Sequence, residues 1–163
     1  MRRAIALICL GAGGLVACAP HPPERFRDPQ APIGATTRFD AQSFSGRWQL
    51  VASFEPLPLG TVEVSYAPEA AQFEITSAAA PGIAGRYRQG AVGELIALDP
   101  RQDGLIVLWV DEDFETAAIG TVSGRFGAVF DRDGRLPADR SAAVREIFDF
   151  YGWDADALKR TAP

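Results

Sequence analysis

From Phe39 onward the chain is a succession of short runs in which apolar and polar residues alternate, each run ended by turn residues. Thr61-Val62-Glu63-Val64-Ser65-Tyr66 puts Val62, Val64 and Tyr66 on one face, and Gln72-Phe73-Glu74-Ile75-Thr76 does the same with Phe73 and Ile75. A period of two means a strand with one wall toward solvent and the other toward an interior. Turn residues at 55–60, 68–71, 81–82, 89–90, 99–104 and 123–124 divide the chain into expected strands at 46–54, 61–66, 72–76, 83–88, 94–98, 105–110, 116–122 and 125–130. Strands this short and this regularly spaced form sandwiches or barrels. An eight-stranded antiparallel sheet closes into a barrel that holds packed side chains or one small ligand. The expected fold class is therefore all-β: an eight-stranded antiparallel up-and-down β-barrel with one C-terminal α-helix packed on its outside.

The helix is read from Val144, Ile147, Phe148 and Tyr151, an apolar stripe at i, i+3, i+4 and i+7. Pro137 and Asp139 suit its start and Gly152 its stop. The run Leu105 to Val110 is continuously apolar, so it is expected to be covered on both faces and to receive the stripe. A helix lying on a membrane surface would need a Lys/Arg-rich polar face. This one carries Asp139, Arg140, Arg145, Glu146 and Asp149 instead. No ninth strand is expected after Gly152, where 155–160 reads as a last helical turn.

The N-terminal residues are expected to lie outside the fold. Met1-Arg2-Arg3 is a short positive segment, and the apolar run behind it is too short to span a bilayer, so residues 1–17 read as an export signal. Leu15-Val16-Ala17-Cys18 resembles a bacterial lipobox. That resemblance implies cleavage before Cys18, diacylglycerol on its sulfur and an acylated amine; an ordinary secretory signal with an incidental cysteine is the alternative. Ala19 stands where lipoproteins kept in the inner membrane typically carry Asp, which implies an outer-membrane anchor facing the periplasm. Residues 18–38, with Pro20, Pro22, Pro23, Pro29 and Pro32, read as a Pro-rich tether, and 39–163 as the barrel domain. The other cysteine, Cys9, leaves with the signal, so no disulfide is expected. With 21 acidic against 16 basic residues the chain lacks the basic face a nucleic-acid partner demands, and attachment to a membrane falls to acyl chains.

Gly46-Arg47-Trp48 opens the first strand. A Gly entering a strand marks a tight bend, and a buried indole N–H needs a partner. Taken with Asp111-Glu112-Asp113-Phe114-Glu115-Thr116 and Phe130-Asp131-Arg132, this segment resembles the lipocalin family, in its bacterial outer-membrane lipoprotein branch. Glu112 and Phe114 depart from the family's Thr and Tyr, and the loop 55–60 is short for the family. The resemblance implies that Gly46, Trp48 and Arg132 form a structural plug, with Arg132 lying across the Trp48 ring at the closed end of the barrel.

Catalytic side chains are sparse. His21 is the only histidine and lies in the tether, so nucleophile–base and zinc constellations are absent from the domain. Asp131-x-Asp133-Gly134 lacks the further oxygen ligands of a calcium loop, and no metal, cofactor or enzymatic activity is expected. Binding remains. The expected interior is Leu50, Ala52, Phe54, Val62, Val64, Tyr66, Phe73, Ile75, Leu108, Phe126 and Ala128, an apolar cavity for a fatty acid or lysophospholipid, with Tyr66 or Arg86 meeting a head group near the mouth. The alternative is a barrel filled by its own side chains, serving as an anchored module that holds a protein partner. A homodimer stays open.

Overall fold

The structure is a computed structural model and describes residues 25–161; the expected signal, Cys18 and the first part of the tether lie outside these residues. Eight antiparallel strands form the wall: β1 Gly46–Ser53, β2 Gly60–Ala67, β3 Gln72–Thr76, β4 Gly85–Gln89, β5 Glu94–Ala97, β6 Leu105–Val110, β7 Thr116–Thr121 and β8 Gly127–Asp131. Each pairs with the next, and β1 pairs with both β2 and β8, which closes the barrel. A four-residue helix, α1 (Ala41–Phe44), precedes β1, and α2 (Ala138–Phe150) follows β8. The period-two pattern thus becomes a closed up-and-down barrel with one long helix outside it.

Two apolar layers result. The interior is built from Trp48, Leu50, Val62, Val64, Phe73, Ile75, Tyr87, Leu95, Leu105, Val107, Ile119, Ala128 and Phe130, among others. The outer layer joins the helix residues Val144 and Phe148 to Ile106, Leu108, Ala118 and Val129 on the outward faces of β6, β7 and β8. This is why β6 is apolar on both faces.

Strict alternation fails at two bulges. In β1 the register shifts between Leu50 and Ala52. Trp48 and Leu50 face inward, but Val51 is the extra residue, and Ala52 and Phe54 turn to the outer layer. In β6 the shift falls between Val107 and Trp109, and Leu108 joins the outer layer. A bulge adds one residue to a strand and so inverts the facing of everything beyond it. The interior placement expected of Ala52 and Phe54 is corrected for this reason; Leu108 faces outward with Ile106 on the alternation that puts Leu105 and Val107 inside, and the β6 bulge returns Val110 to the interior.

Two further corrections concern the ends of the chain. From Arg25 the expected tether is a strap packed on the barrel. Phe26 N donates to Gly124 O at 2.8 Å, Arg27 bridges to Trp153, and Thr36 N donates to Val107 O, beside the β6 bulge, at 2.9 Å. At the other terminus, Ala155–Ala157 is a 3₁₀ turn and Lys159–Arg160 forms a ninth short strand, β9, on β1 opposite Ala52 and Ser53. Thr161 then bonds the carbonyls of Leu50 and Val51 at the bulge. Two residues are too few to show an alternation.

Candidate functional site: the two ends of the barrel

The ends differ in how they are closed. At the Trp48 end, Asp40 caps α1 by accepting from Ser43 N at 2.7 Å, and that bond holds its carboxyl below the usual carboxylate range. Phe44, the last residue of α1, packs on Trp48 and accepts the indole Nε1–H at 2.8 Å. Arg132 lies over the Trp48 ring, its Cζ 3.6 Å from the centroid. Its guanidinium donates to Phe114 O, Arg47 O, Ser43 O and Ser45 O. Burial pulls this group below its ordinary value, partly offset by the Glu115 charge, and an arginine there stays charged. Gly46, at φ +105°, leaves room for it: a Cβ there would sit 3.1 Å from Arg132 Nη1.

The neighbouring hairpin needs no hydroxyl at 112 or 114. Asp111 Oδ1 accepts from the backbone N–H groups of Glu115 and Thr116, and Phe114 takes φ +57°. Asp131, the first acid of the calcium-like pattern, is buried and accepts from Thr116 Oγ1 at 2.7 Å and from the N–H groups of Asp133 and Arg135, with Arg140 Nη1 at 3.5 Å. Its oxygens serve the fold. Among the described residues no three His, Cys, Asp or Glu side chains converge as metal ligands.

The opposite end, the mouth, is roofed by loops. A 3₁₀ turn, Pro81–Ile83, drops Ile83 into the top of the interior, and Phe126 enters from the β7–β8 loop. The turn is held by two polar side chains. Tyr87 Oη donates to Ile83 O at 2.7 Å, while Gln102 Nε2 reaches Ala84 O at 3.1 Å, Gly82 O at 3.3 Å and Tyr87 Oη at 2.7 Å. Burial, with the Asp103 charge adding to it, pushes the Tyr87 phenol well up, so it stays a donor at neutral pH. Above this latch lies a vestibule of about 220 Å³ lined by Glu55, Ile83, Arg101, Gln102, Asp103, Arg125 and Phe126. Partial burial raises the Glu55 carboxyl.

Between the two ends the barrel is full. Trp48, Leu50, Val62, Tyr87, Val107 and Phe130 expose 0% of their surface, and the walls next to them, Val64, Phe73, Ile75, Leu95 and Ile119, no more than 3%. A void wide enough for water would leave accessible area on its walls, and these have almost none. Of the expected pocket residues, Leu50, Val62, Val64, Phe73, Ile75, Phe126 and Ala128 lie in this interior. Tyr66 is half-buried at the closed end, where its Oη bonds Gln89 at 3.0 Å, and Arg86 is exposed on the outer face of β4. Tyr66 is far from the mouth because β2 runs away from it, and Arg86, near the mouth end of β4, points outward because Tyr87 takes the inward position. The Arg-Tyr-Arg alternation at 86–88 carried that signal; the latch residue Gln102 lies in a turn and carried none.

A broad outer groove of about 820 Å³ runs over the outward side chains Thr61, Glu63 and Thr76, under Pro58 and Leu59.

No protein-family model matches the chain, and no curated protein matches it in sequence. Solved structures match in fold. A siderocalin, Ex-FABP, described as functioning through dual ligand specificities, aligns with TM-score 0.57 and 13% identity over 74% of this chain and 95% of its own. Lobster apocrustacyanin A1 aligns with TM-score 0.57 and 16% identity over 81% and 89%, and apocrustacyanin C2 with 0.56 and 16% over the same shares. The barrel with its outer helix is the lipocalin fold.

Proposed function

We propose that the protein is a lipid-anchored barrel of the bacterial outer membrane, facing the periplasm, that takes a fatty acid or lysophospholipid through the end opposite Trp48. One observation carries this reading: a largely apolar interior is closed at that end by loops alone, a short turn held by the neutral side chains of Tyr87 and Gln102 and the β7–β8 loop that supplies Phe126. The Trp48 end has the charge-assisted bonds of Arg132, which are roughly twice as strong as neutral ones. The mouth is therefore the end that opens. A ligand chain takes the space that Ile83 and Phe126 vacate, while Arg125 in the vestibule supplies positive charge for an acidic head group. Affinity is reduced by the fraction of molecules that are open. The ligand specificities of the siderocalin neighbour support the reading by analogy of fold.

The test is a titration of delipidated full-length protein with a fluorescent fatty acid, wild type against Gln102→Ala. Loss of the latch should raise the open fraction and tighten binding about tenfold, the equivalent of one or two net hydrogen bonds. Absence of saturable binding in both proteins at micromolar probe would overturn the reading.

The filled interior favours a second reading, a surface module that holds a protein partner, for which the groove beside Thr61 and Glu63 is the natural seat. Its mark is a barrel that binds no probe with the latch intact or removed.

A further inference from the structure

The strap fixes which end of the barrel meets the membrane. We infer that the mouth docks on the phospholipid leaflet that holds the acyl chains of Cys18; this rests on the anchor reading above. The described chain begins at the mouth: Phe26 N bonds Gly124 O in the β7–β8 loop, and Arg25 lies beside Phe54, Pro56 and Lys159. Seven residue steps separate Cys18 from Arg25, a reach of at most about 25 Å. An eight-residue strand tilted as barrel strands are rises about 20 Å along the barrel axis, before the loops at each end are added. Turning the closed end to the membrane would use up the whole leash. With the mouth down, those steps do not have to span the barrel.

The two ends suit this orientation chemically. Leu59, Leu98 and Val122 stand on three different mouth loops, exposed at 44%, 41% and 57%. The closed-end loops carry one such residue, Val92, against these three, and exposed apolar side chains concentrated at one end mark an interaction site. The mouth is mixed in charge: Asp99 is paired with Arg101 at 2.9 Å, Asp103 accepts from Ser123 Oγ at 2.6 Å, and Glu55 and Asp154 stand near exposed Arg25, Arg125 and Lys159. The closed end carries exposed Glu69, Glu112, Asp113, Asp133 and Asp139 interspersed with exposed Arg38, Arg88 and Arg135, so the orientation rests on the leash and the apolar loop tips rather than on charge. A lipid leaving the leaflet would then meet the vestibule directly.

The test uses the acylated mature protein, which has no other cysteine, reconstituted in phosphatidylethanolamine/phosphatidylglycerol vesicles. An environment-sensitive fluorophore is placed at Leu59→Cys or Val122→Cys on the mouth and at Glu112→Cys on the closed end. The two mouth positions should shift to the blue and be quenched by nitroxide-labelled lipid, and the Glu112→Cys position should report water. Equal shifts at both ends, or a shift at Glu112→Cys alone, would overturn the docking. Intact mass separates the two layers of the argument: a mature chain without acyl groups overturns the anchor and the docking with it. Acylated protein with unshifted mouth probes overturns the docking alone.

Discussion

At the scale of single residues, Trp48 and Arg132 do unequal work. The indole fills the floor of the interior and is fully buried, so Trp48→Ala removes the largest apolar side chain there and leaves a cavity. A loss of about 3–5 kcal/mol is expected. Arg132→Ala removes a stacked cation and four bonds to carbonyls, for a loss of about 2 kcal/mol. Arg132→Lys should recover little of it, since an ammonium cannot both stack and fork. Urea unfolding of the three variants checks the order. Glu55 makes a different prediction. Its folded carboxyl titrates above the ordinary Glu value, so the folded state holds a proton that the unfolded chain has released. Stability therefore falls as pH rises from the ordinary Glu range through the folded value. Glu55→Gln should flatten that slope and leave the protein slightly more stable at neutral pH, as unfolding midpoints between pH 4 and 7 will show.

At the scale of elements, the strap is part of the domain. Arg27 is buried, donating to Tyr151 O at 2.8 Å, to Val122 O and to Ala31 O, with its Cζ 5.3 Å from the Trp153 ring. It also sits at the C-terminal end of α2, where the helix dipole favours a cation. Arg27→Ala should cost about 2–3 kcal/mol and release the strap, seen as faster proteolysis near residues 25–33 with the barrel intact. Trp153 in turn lies so close to the wall that a Cβ at Gly120 or Gly127 would meet it at 2.5 and 2.8 Å. Strand existence was legible because β2 and β3 alternate cleanly and the turns between strands are rich in Gly, Pro and Asp. The bulges were not, since Leu50-Val51-Ala52 and Ile106-Val107-Leu108-Trp109 are apolar on either side of the shift and give no parity to follow. The strap was read as tether because its prolines suit an extended chain in either setting. Its docking depends on Arg27, Phe26 and Gly124 meeting across about a hundred residues, and no local pattern encodes that. Of the site, the Gly46–Trp48–Arg132 floor was visible through the family resemblance; the Gln102 latch is a tertiary contact and was not.

At the scale of the whole molecule, the barrel is asymmetric along its axis. One end is fixed by a half-buried guanidinium and a capped helix. The other is roofed by loops above an apolar interior that fills itself. Ligand uptake at such an end must exchange one set of apolar contacts for another, so it is governed by how often the roof lifts. The direct measurement is an amide chemical-shift titration of the full chain with oleate or a lysophospholipid. Saturating shifts centred on residues 55–59, 81–87, 101–105 and 122–126 are predicted, with Trp48 and Arg132 unmoved. Shifts confined to the outer groove at Thr61, Glu63 and Thr76, or none at all, would contradict the account.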